Sequence, residues 1–280
     1  MAADALTRQI MDLRQKTGAG FMDCKKALAE SGGRVDEALA YLRKKGIADA
    51  AKRVGRAAGE GLVAYAVQGK AAALIELNCE TDFVAKNQEF KRLSEALASD
   101  AAAGTIADPG AAASRIEPIQ LAMKENIRLR RLERFVLSGP GLLAGYIHLD
   151  GKKGALIEIK APSEAAAASE EIKGLAKELL LQIVGSSARY LSKESVPAAE
   201  IAREREIFTA QVRAEGKPEA AVAKIVEGKI QKLFYQSHCL LEQMSLRDGK
   251  VPVAQFVADA AKKLGGAVSV ARFARYQLGE

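Results

Sequence analysis

The sequence contains no tryptophan and few other aromatic residues. Aromatic side chains make up 5% of the 280 residues, whereas 49% of the chain is hydrophobic. A hydrophobic core of this composition must therefore be built mainly from Ala, Leu, Ile and Val. The scarcity of aromatic rings also argues against binding of single-stranded nucleic acid, because that mode depends on bases stacking on such rings.

Long hydrophobic runs and paired cysteines are also missing. No stretch approaches the roughly 20 apolar residues that a membrane-spanning helix needs. The first residues, MAADAL, lack the basic-then-apolar order of a signal peptide. Cys24, Cys79 and Cys239 are odd in number and widely separated, which favours buried thiols in a reducing compartment. We therefore expect a cytoplasmic protein that does not associate with a membrane.

Groups that commonly carry catalysis or hold a cofactor are scarce. The chain has two histidines, and neither a phosphate-binding loop nor a dinucleotide-binding glycine motif occurs in it. The cysteines match no metal-binding spacing. We expect no enzyme activity, no cofactor and no metal site. The enzyme alternative stays open through His238 and Cys239, which are adjacent and could serve as base and nucleophile.

The net charge of +7 is distributed unevenly. Residues 1–58 contain twelve Lys and Arg against seven Asp and Glu, which is a balance of +5 and leaves only +2 for the other 222 residues. A basic module on a nearly neutral body is typical of docking to one acidic protein surface, so we expect no direct nucleic-acid binding. The alternative is a basic RNA-binding protein whose affinity would fall steeply with salt.

The N-terminal part of the chain predicts three short helices. Apolar residues at helical spacing predict the first, which ends at the glycines at positions 18 and 20. The second covers Phe21–Glu30. The third begins at Asp36 and is expected to stop at Gly46, a residue type typical of helix ends. Residues 48–59 are interpreted as a linker that is partly helical.

Beyond this linker the apolar period changes from 3.6 to 2, which indicates strands. Residues 61–68 and 73–79 predict an antiparallel hairpin with its turn at residues 69–70. A helix over about residues 82–103 follows. Thr81 is its expected N-cap, because a threonine side chain can accept a hydrogen bond from a backbone amide of the first turn.

This strand–strand–helix unit occurs twice. After a shift of 82 residues, GKAAALIEL at residues 69–77 aligns with GKKGALIEI at residues 151–159, with six of nine positions identical. Thr81 aligns with Ser163, which predicts a second capped helix. The repeat therefore predicts two similar lobes related by a pseudo-twofold axis.

The rest of the chain completes an α+β fold. It predicts a strand over residues 128–137, which we expect to join the second lobe, and an antiparallel helical hairpin whose turn is residues 216–218. The expected fold is a three-helix bundle, then a duplicated β-hairpin-plus-helix core with a protruding helical hairpin. The expected domains are residues 1–58 as docking module and linker, 59–140 as first core lobe, and 141–280 as second core lobe with the hairpin at about 199–234, followed by a helix over 253–264 and a strand over 267–276.

The two copies of the strand–strand–helix unit differ at Phe83, and this difference bears on function. Phe83 lies in the first turn after Thr81, and the equivalent position in the second copy is Ala165. A large aromatic at only one of two equivalent positions indicates a contact with another molecule. The same pattern also allows the ring to pack over the core of its own lobe.

Two long motifs resemble the bacterial elongation factor Ts family. They are TGAGFMDCKKAL at residues 17–28 and NCETDFVAKN at residues 78–87. Shorter matches extend the resemblance over most of the chain. Two positions depart from the family pattern: Met244-Ser245 stands where Pro-Phe is usual, and Lys124 stands where Gly is common. The shorter matches are YIH at 146–148, GKP at 216–218 and KIVEGK at 224–229.

The resemblance implies a nucleotide exchange factor for the translational GTPase elongation factor Tu. In this family the N-terminal module is similar to a ubiquitin-associated bundle that docks on the GTPase domain, with Lys25 as a contact. From the residues alone, Lys25 can also be a solvated lysine on a helix face. The helical hairpin is expected to contact the partner elsewhere.

The resemblance also implies which residues dislodge the Mg²⁺ ion of the GTPase. Phe83 is expected to wedge into an apolar pocket between partner helices, and His148 is expected to help form the same contact. His148 can equally be a solvated histidine at a strand end. The segment implied for partner binding and Mg²⁺ dislocation is Thr81, Asp82, Phe83 and Val84.

Overall fold

The computed structural model of the chain describes residues 2–17, 19–53, 56–247 and 249–280. The protein has the expected α+β architecture, in which three N-terminal helices precede two small antiparallel sheets with helices packed on them. None of the helices in these ranges combines the length and the apolar character needed to cross a membrane.

The first three helices form a small bundle with its own core, and the third helix is longer than expected. The expected stop at Gly46 is wrong, because the helix continues to Arg53. A glycine costs a helix interior only about 1 kcal/mol relative to alanine, and the residues after Gly46 are rich in alanine. Gly18 and linker residues 54 and 55 lie outside the described residues. The helices are α1 (Ala2–Thr17), α2 (Phe21–Glu30) and α3 (Val35–Arg53).

Each of the two sheets has three antiparallel strands, with the second strand in the middle. The strand near residues 128–137 pairs with the middle strand of the first sheet, not the second as expected. The physical reason is that the last strand of the chain occupies the equivalent edge of the second sheet. The first sheet comprises β1 (Glu60–Gln68), β2 (Ala71–Cys79) and β3 (Arg128–Val136); the second comprises β4 (Gly141–His148), β5 (Lys153–Lys160) and β6 (Ser269–Gln277).

The predicted helix over residues 82–103 is divided into two at Asn87. This residue ends the first helix and caps the second, because its side chain accepts a hydrogen bond from the amide of Glu89 at 2.8 Å. The second lobe has the same division at Ser169, 82 residues later. The helices on the two lobes are α4 (Asp82–Lys86), α5 (Gln88–Ala103), α6 (Ala113–Met123), α7 (Glu164–Ala167), α8 (Glu170–Ser186) and α12 (Val253–Leu264).

Further details confirm the predicted duplication. Thr81 and Ser163 both cap a short helix by accepting a hydrogen bond from a backbone amide. The middle strands carry an irregularity at the same place, between Glu76 and Leu77 in β2 and between residues 158 and 159 in β5. Caps, breaks and irregularities thus repeat with the same 82-residue shift.

The two sheets face each other across a shared apolar layer. Helices pack over the opposite face of each sheet, so that every sheet is covered on both sides. The approach is close at Gly145, where an added Cβ atom would lie 2.3 Å from the ring of Tyr65. The layer between the sheets contains Val63, Ala72, Leu74 and Phe135 from the first lobe and Leu143, Leu156 and Tyr276 from the second.

The predicted helical hairpin forms between residues 198 and 229. Its two helices, α9 (Ala198–Ala214) and α10 (Glu219–Lys229), contact each other. The chain continues as a π-helix over Ile230–Tyr235 and a short α11 (Gln236–His238). This segment has a hydrophobic cluster of its own, which includes Phe208, Val212, Val226 and Phe234.

Candidate protein-binding site

The start of α4 is held firmly to the body of the first lobe. The hydroxyl of Thr81 donates to one carboxylate oxygen of Glu125 at 2.5 Å, and the other oxygen accepts from the amides of Glu80 and Thr81 at 3.0 and 3.1 Å. Val84 is buried in the lobe core and donates its amide hydrogen to the Thr81 hydroxyl at 3.4 Å. Residues on either side of Phe83 are therefore fixed.

Phe83 itself projects into solvent. This residue is 81% exposed, although the next two residues, Val84 and Ala85, are buried. The interpretation that the ring packs over its own lobe is therefore wrong for the free chain. Exposure of one large aromatic ring on a rigid helix start gives a surface on which another protein can bury apolar area.

Asp82 and Lys86 form a polar border next to this ring. The carboxylate of Asp82 accepts a hydrogen bond from the Lys86 ammonium group at 2.7 Å, one helical turn away. That hydrogen bond lowers the pKa of Asp82 and raises the pKa of Lys86. Both side chains are charged at neutral pH.

The second lobe contributes an exposed corner at the end of β4. His148 is exposed, and its Nδ1 atom lies 3.1 Å from the hydroxyl of Tyr146. Leu149, the next residue, is 76% exposed. Sequence reasoning missed Leu149, because nothing in an apolar residue between His148 and Asp150 indicates that its side chain points outward.

One groove between the lobes is lined by residues that neighbour both exposed corners. Asp82 and Lys86 from the first lobe line it together with Ile147 and Asp150 from the second. The charge of Asp150 contributes to the raised pKa of Lys86, after the hydrogen bond and charge of Asp82. Phe83 directly follows the groove residue Asp82, and Leu149 directly precedes the groove residue Asp150.

The close approach of the lobes at this groove depends on Gly151. An added Cβ atom there would lie 2.6 Å from the side chain of Leu62. The φ angle of Gly151 is +74°, a conformation that residues with a side chain rarely adopt. A salt bridge between Lys152 and Glu60, 3.3 Å long, also joins the lobes. The groove is therefore a feature of the assembled pair of lobes.

Lys25 lies apart from the groove, on the N-terminal bundle. It is exposed on α2, next to Phe21 and Met22, whose side chains are also exposed. Two residues before Lys25, Asp23 accepts a hydrogen bond from Lys45 at 2.6 Å, and this contact lowers the pKa of Asp23. The bundle thus presents basic and apolar side chains together.

The alternative enzymatic pair does not form a reactive site. Cys239 is completely buried, and burial raises its pKa to about 11. Burial also lowers the pKa of His238, whose ring packs against Phe234 at a centroid distance of 5.0 Å. A neutral, inaccessible thiol is a poor nucleophile. Within the described parts of the chain, no cluster of three His, Cys, Asp or Glu could hold a metal ion.

The fold and the site define a duplicated α+β protein with exposed apolar side chains beside one groove between its lobes. Comparison with known proteins is specific: the family model described as Elongation factor TS matches residues 80–280. The chain belongs to the elongation factor Ts family.

Relatives in this family cover nearly the whole chain. Elongation factor Ts from Symbiobacterium thermophilum is 43% identical over 284 residues, which cover 99% of this chain and 93% of the relative. The protein of that name from Nitratidesulfovibrio vulgaris is 42% identical over 273 residues, covering 97% and 94%. The one from Nostoc sp. is 40% identical over 293 residues, covering 99% and 93%.

Proposed function

We propose that this chain is a guanine-nucleotide exchange factor of translation elongation, which binds elongation factor Tu and promotes release of its GDP. Membership of the elongation factor Ts family supports the partner. The single observation that carries the mechanism is the exposure of Phe83 on a firmly anchored helix start.

In this mechanism Phe83 enters an apolar pocket between helices of the GTPase. The hydrogen bonds of Thr81 with Glu125 keep the start of α4 in place when the ring contacts the partner. Val84 is the inner anchor of the segment, because it packs into the lobe core. Burial of the Phe83 ring contributes about 1.5–3 kcal/mol to the complex.

Exchange is a coupling between two binding events. The factor and the nucleotide weaken each other's binding to the GTPase by the same factor. A thousandfold weakening of GDP binding corresponds to about 4 kcal/mol, which exceeds the contribution of Phe83. The rest comes from displacing the partner's Mg²⁺, which bridges the nucleotide phosphates and the GTPase. No residue of this chain needs to touch the nucleotide.

The other exposed corner and the basic bundle complete the proposed interface. His148 supports the same contact as Phe83 from the second lobe, and Leu149 adds a second apolar side chain there. Lys25 docks on the GTPase domain together with exposed Phe21 and Met22. Because Phe83, His148 and Lys25 lie on different parts of the chain, the proposed interface with the GTPase covers a large surface.

The experiment that tests this proposal follows fluorescent GDP leaving elongation factor Tu in a stopped-flow instrument. The rate of release should rise with the concentration of this protein. After chelation of Mg²⁺ the stimulation should be much smaller, because the metal is already gone. Release that does not depend on this protein would contradict the proposal, and equal stimulation with and without Mg²⁺ would contradict the metal step.

A basic RNA-binding protein without exchange activity is the alternative suggested by the net charge of +7. It predicts RNA binding that weakens steeply as salt rises, together with no effect on GDP release. Measuring both properties on the same preparation separates the two functions.

A further inference from the structure

Two arginines occupy equivalent positions on the last strands of the two sheets. Arg131 on β3 donates to Glu76 of the middle strand at 2.7 Å, and Arg272 on β6 donates to Glu158 of the other middle strand at 2.7 Å. Glu76 is fully buried and Glu158 almost so. Glu76 and Glu158 are themselves related by the 82-residue shift.

Each arginine also reaches into the opposite lobe. The guanidinium carbon of Arg131 lies 4.2 Å from the centre of the Tyr276 ring, and its Nη2 atom donates to the carbonyl of Gln277 at 3.0 Å. The guanidinium carbon of Arg272 lies 4.3 Å from the centre of the Phe135 ring.

The second arginine repeats the backbone contact as well. The Nη2 atom of Arg272 donates to the carbonyl of Val136 at 3.2 Å. At these arginines the two lobes therefore meet as two subunits of a symmetric dimer do, with each contact of one arginine repeated by the other. Arginine suits this role, because its planar group can pair with a carboxylate and stack on a ring at once.

The buried glutamates hold these arginines in place. Burial alone would raise the pKa of Glu76, but hydrogen bonds from Arg130 and Arg131 outweigh it and the pKa lies below its usual range. The carboxylate is therefore ionised at neutral pH and fixes the orientation of the guanidinium group. A carboxylate left without its arginine would be an uncompensated buried charge.

We propose that Arg131 and Arg272 are positioning residues, which hold the two lobes at the relative orientation that lets Phe83 and His148 meet the partner together. The role of Phe83 and His148 rests on the proposed function, whereas the contact between the lobes does not. Exposed salt bridges such as that of Lys152 contribute little to rigidity. The symmetric arginine contacts therefore carry most of the polar link between the lobes.

The test uses the full chain with both arginines changed, Arg131→Lys and Arg272→Lys. Lysine keeps the charge but loses the planar group that stacks and pairs simultaneously. The matched control is Arg130→Lys, because Arg130 binds the same Glu76 at 2.9 Å from within the first lobe. Circular dichroism checks that each variant is folded.

Spin labels report the relation between the lobes without any partner. The labels are attached to cysteines introduced at exposed Arg92 on α5 and Lys177 on α8. Labelling is selective for these two positions because all three native cysteines are buried. The labelled protein with its native arginines and the labelled Arg130→Lys variant should each give one narrow distance distribution. The double lysine variant should give a broad one. A folded double variant that keeps the narrow distribution would overturn the proposal, as would equal broadening in Arg130→Lys.

A second double variant keeps the test decisive if the double lysine variant does not fold. Phe135→Leu with Tyr276→Leu removes both rings and leaves both glutamate–arginine pairs intact. This variant should also broaden the distance distribution. Retention of one narrow distance would show that the stacking contacts do not set the orientation of the lobes.

The functional readout is the concentration of factor that gives half-maximal GDP release. Because only correctly oriented molecules bind, this concentration should rise about fivefold in the double lysine variant while the maximal rate is kept. An unchanged concentration would contradict the positioning role. If the unchanged protein did not stimulate release at all, the proposed function would fail, while the distances would still decide the link between the lobes.

Discussion

One aromatic side chain distinguishes the start of α4 from its counterpart in the second lobe. Thr81 and Ser163 cap their helices in the same way, yet Phe83 is matched by Ala165. The fold does not require the ring, because the second lobe is built without it. At the scale of the residue, the proposed function therefore depends on where one apolar side chain is left exposed.

Lys124 carries a long side chain at a backbone position that favours glycine. It ends α6 with φ of 60°, in the left-handed region, which costs a residue with a side chain roughly 1–2 kcal/mol. Its ammonium group lies 3.7 Å from the carboxylate of Asp23 in the N-terminal bundle. The side chain thus links the bundle to the first lobe at a position where glycine would suit the backbone better.

Replacing Lys124 by glycine should raise the free energy of unfolding by less than the strain alone suggests. The substitution relieves the left-handed backbone, but it removes a surface ion pair of up to about 1 kcal/mol. Ser187→Gly is the matched control, because Ser187 ends α8 with φ of 56°. Denaturant titrations should show the larger gain for Ser187→Gly. An equal or larger gain for Lys124→Gly would mean that the contact with Asp23 does not stabilise the protein.

Single residues also show how far the sequence alone leads. Thr81 was predictable as a cap, because capping depends on a few neighbouring residues. The exposure of Phe83 could only be proposed as one of two outcomes. Leu149 escaped prediction because its exposure follows from the turn over Leu149–Gly151, in which Asp150 adopts φ of 63°.

At the scale of elements, boundaries were predicted less well than the elements themselves. The helix over Val253–Leu264 has the predicted bounds. By contrast, the break at Asn87 was missed, since the apolar pattern continues across it. The strand β3 was assigned to the wrong sheet, because strand pairing depends on distant segments that local periodicity does not encode.

The N-terminal bundle is expected to act as a docking element. Deleting residues 2–53 removes the three helices but keeps Arg56, whose carbonyl accepts from buried Asn126 at 2.9 Å. We expect the dissociation constant for elongation factor Tu to rise roughly tenfold or more, because one of two linked contacts is lost. Its dependence on salt should also decrease.

Calorimetric titration at two salt concentrations measures both effects. The folding control is a far-ultraviolet signal that falls only by the helix content of the three deleted helices. If the truncated chain bound as tightly as the full chain, the basic bundle would have no role in docking.

At the scale of the whole molecule, two lobes meet across a shared apolar layer, and the chain makes and breaks no covalent bond in its proposed role. The 82-residue shift predicted the duplication. The sequence could not show how the lobes meet, because the contact of Arg131 with Tyr276 joins residues far apart in the chain. The groove beside Phe83 and Leu149 exists only because the lobes are assembled.

The central claim is that the exposed ring of Phe83 drives exchange by entering the GTPase. The most direct measurement compares stimulated GDP release by Phe83→Ala and by Leu246→Ala, a control that truncates a second-lobe side chain that is 61% exposed. We predict that Phe83→Ala lowers the stimulated rate roughly tenfold to a hundredfold, corresponding to the burial of one aromatic ring, while Leu246→Ala releases GDP as the unchanged protein does. Stimulation by a folded Phe83→Ala protein at the full rate would contradict the account.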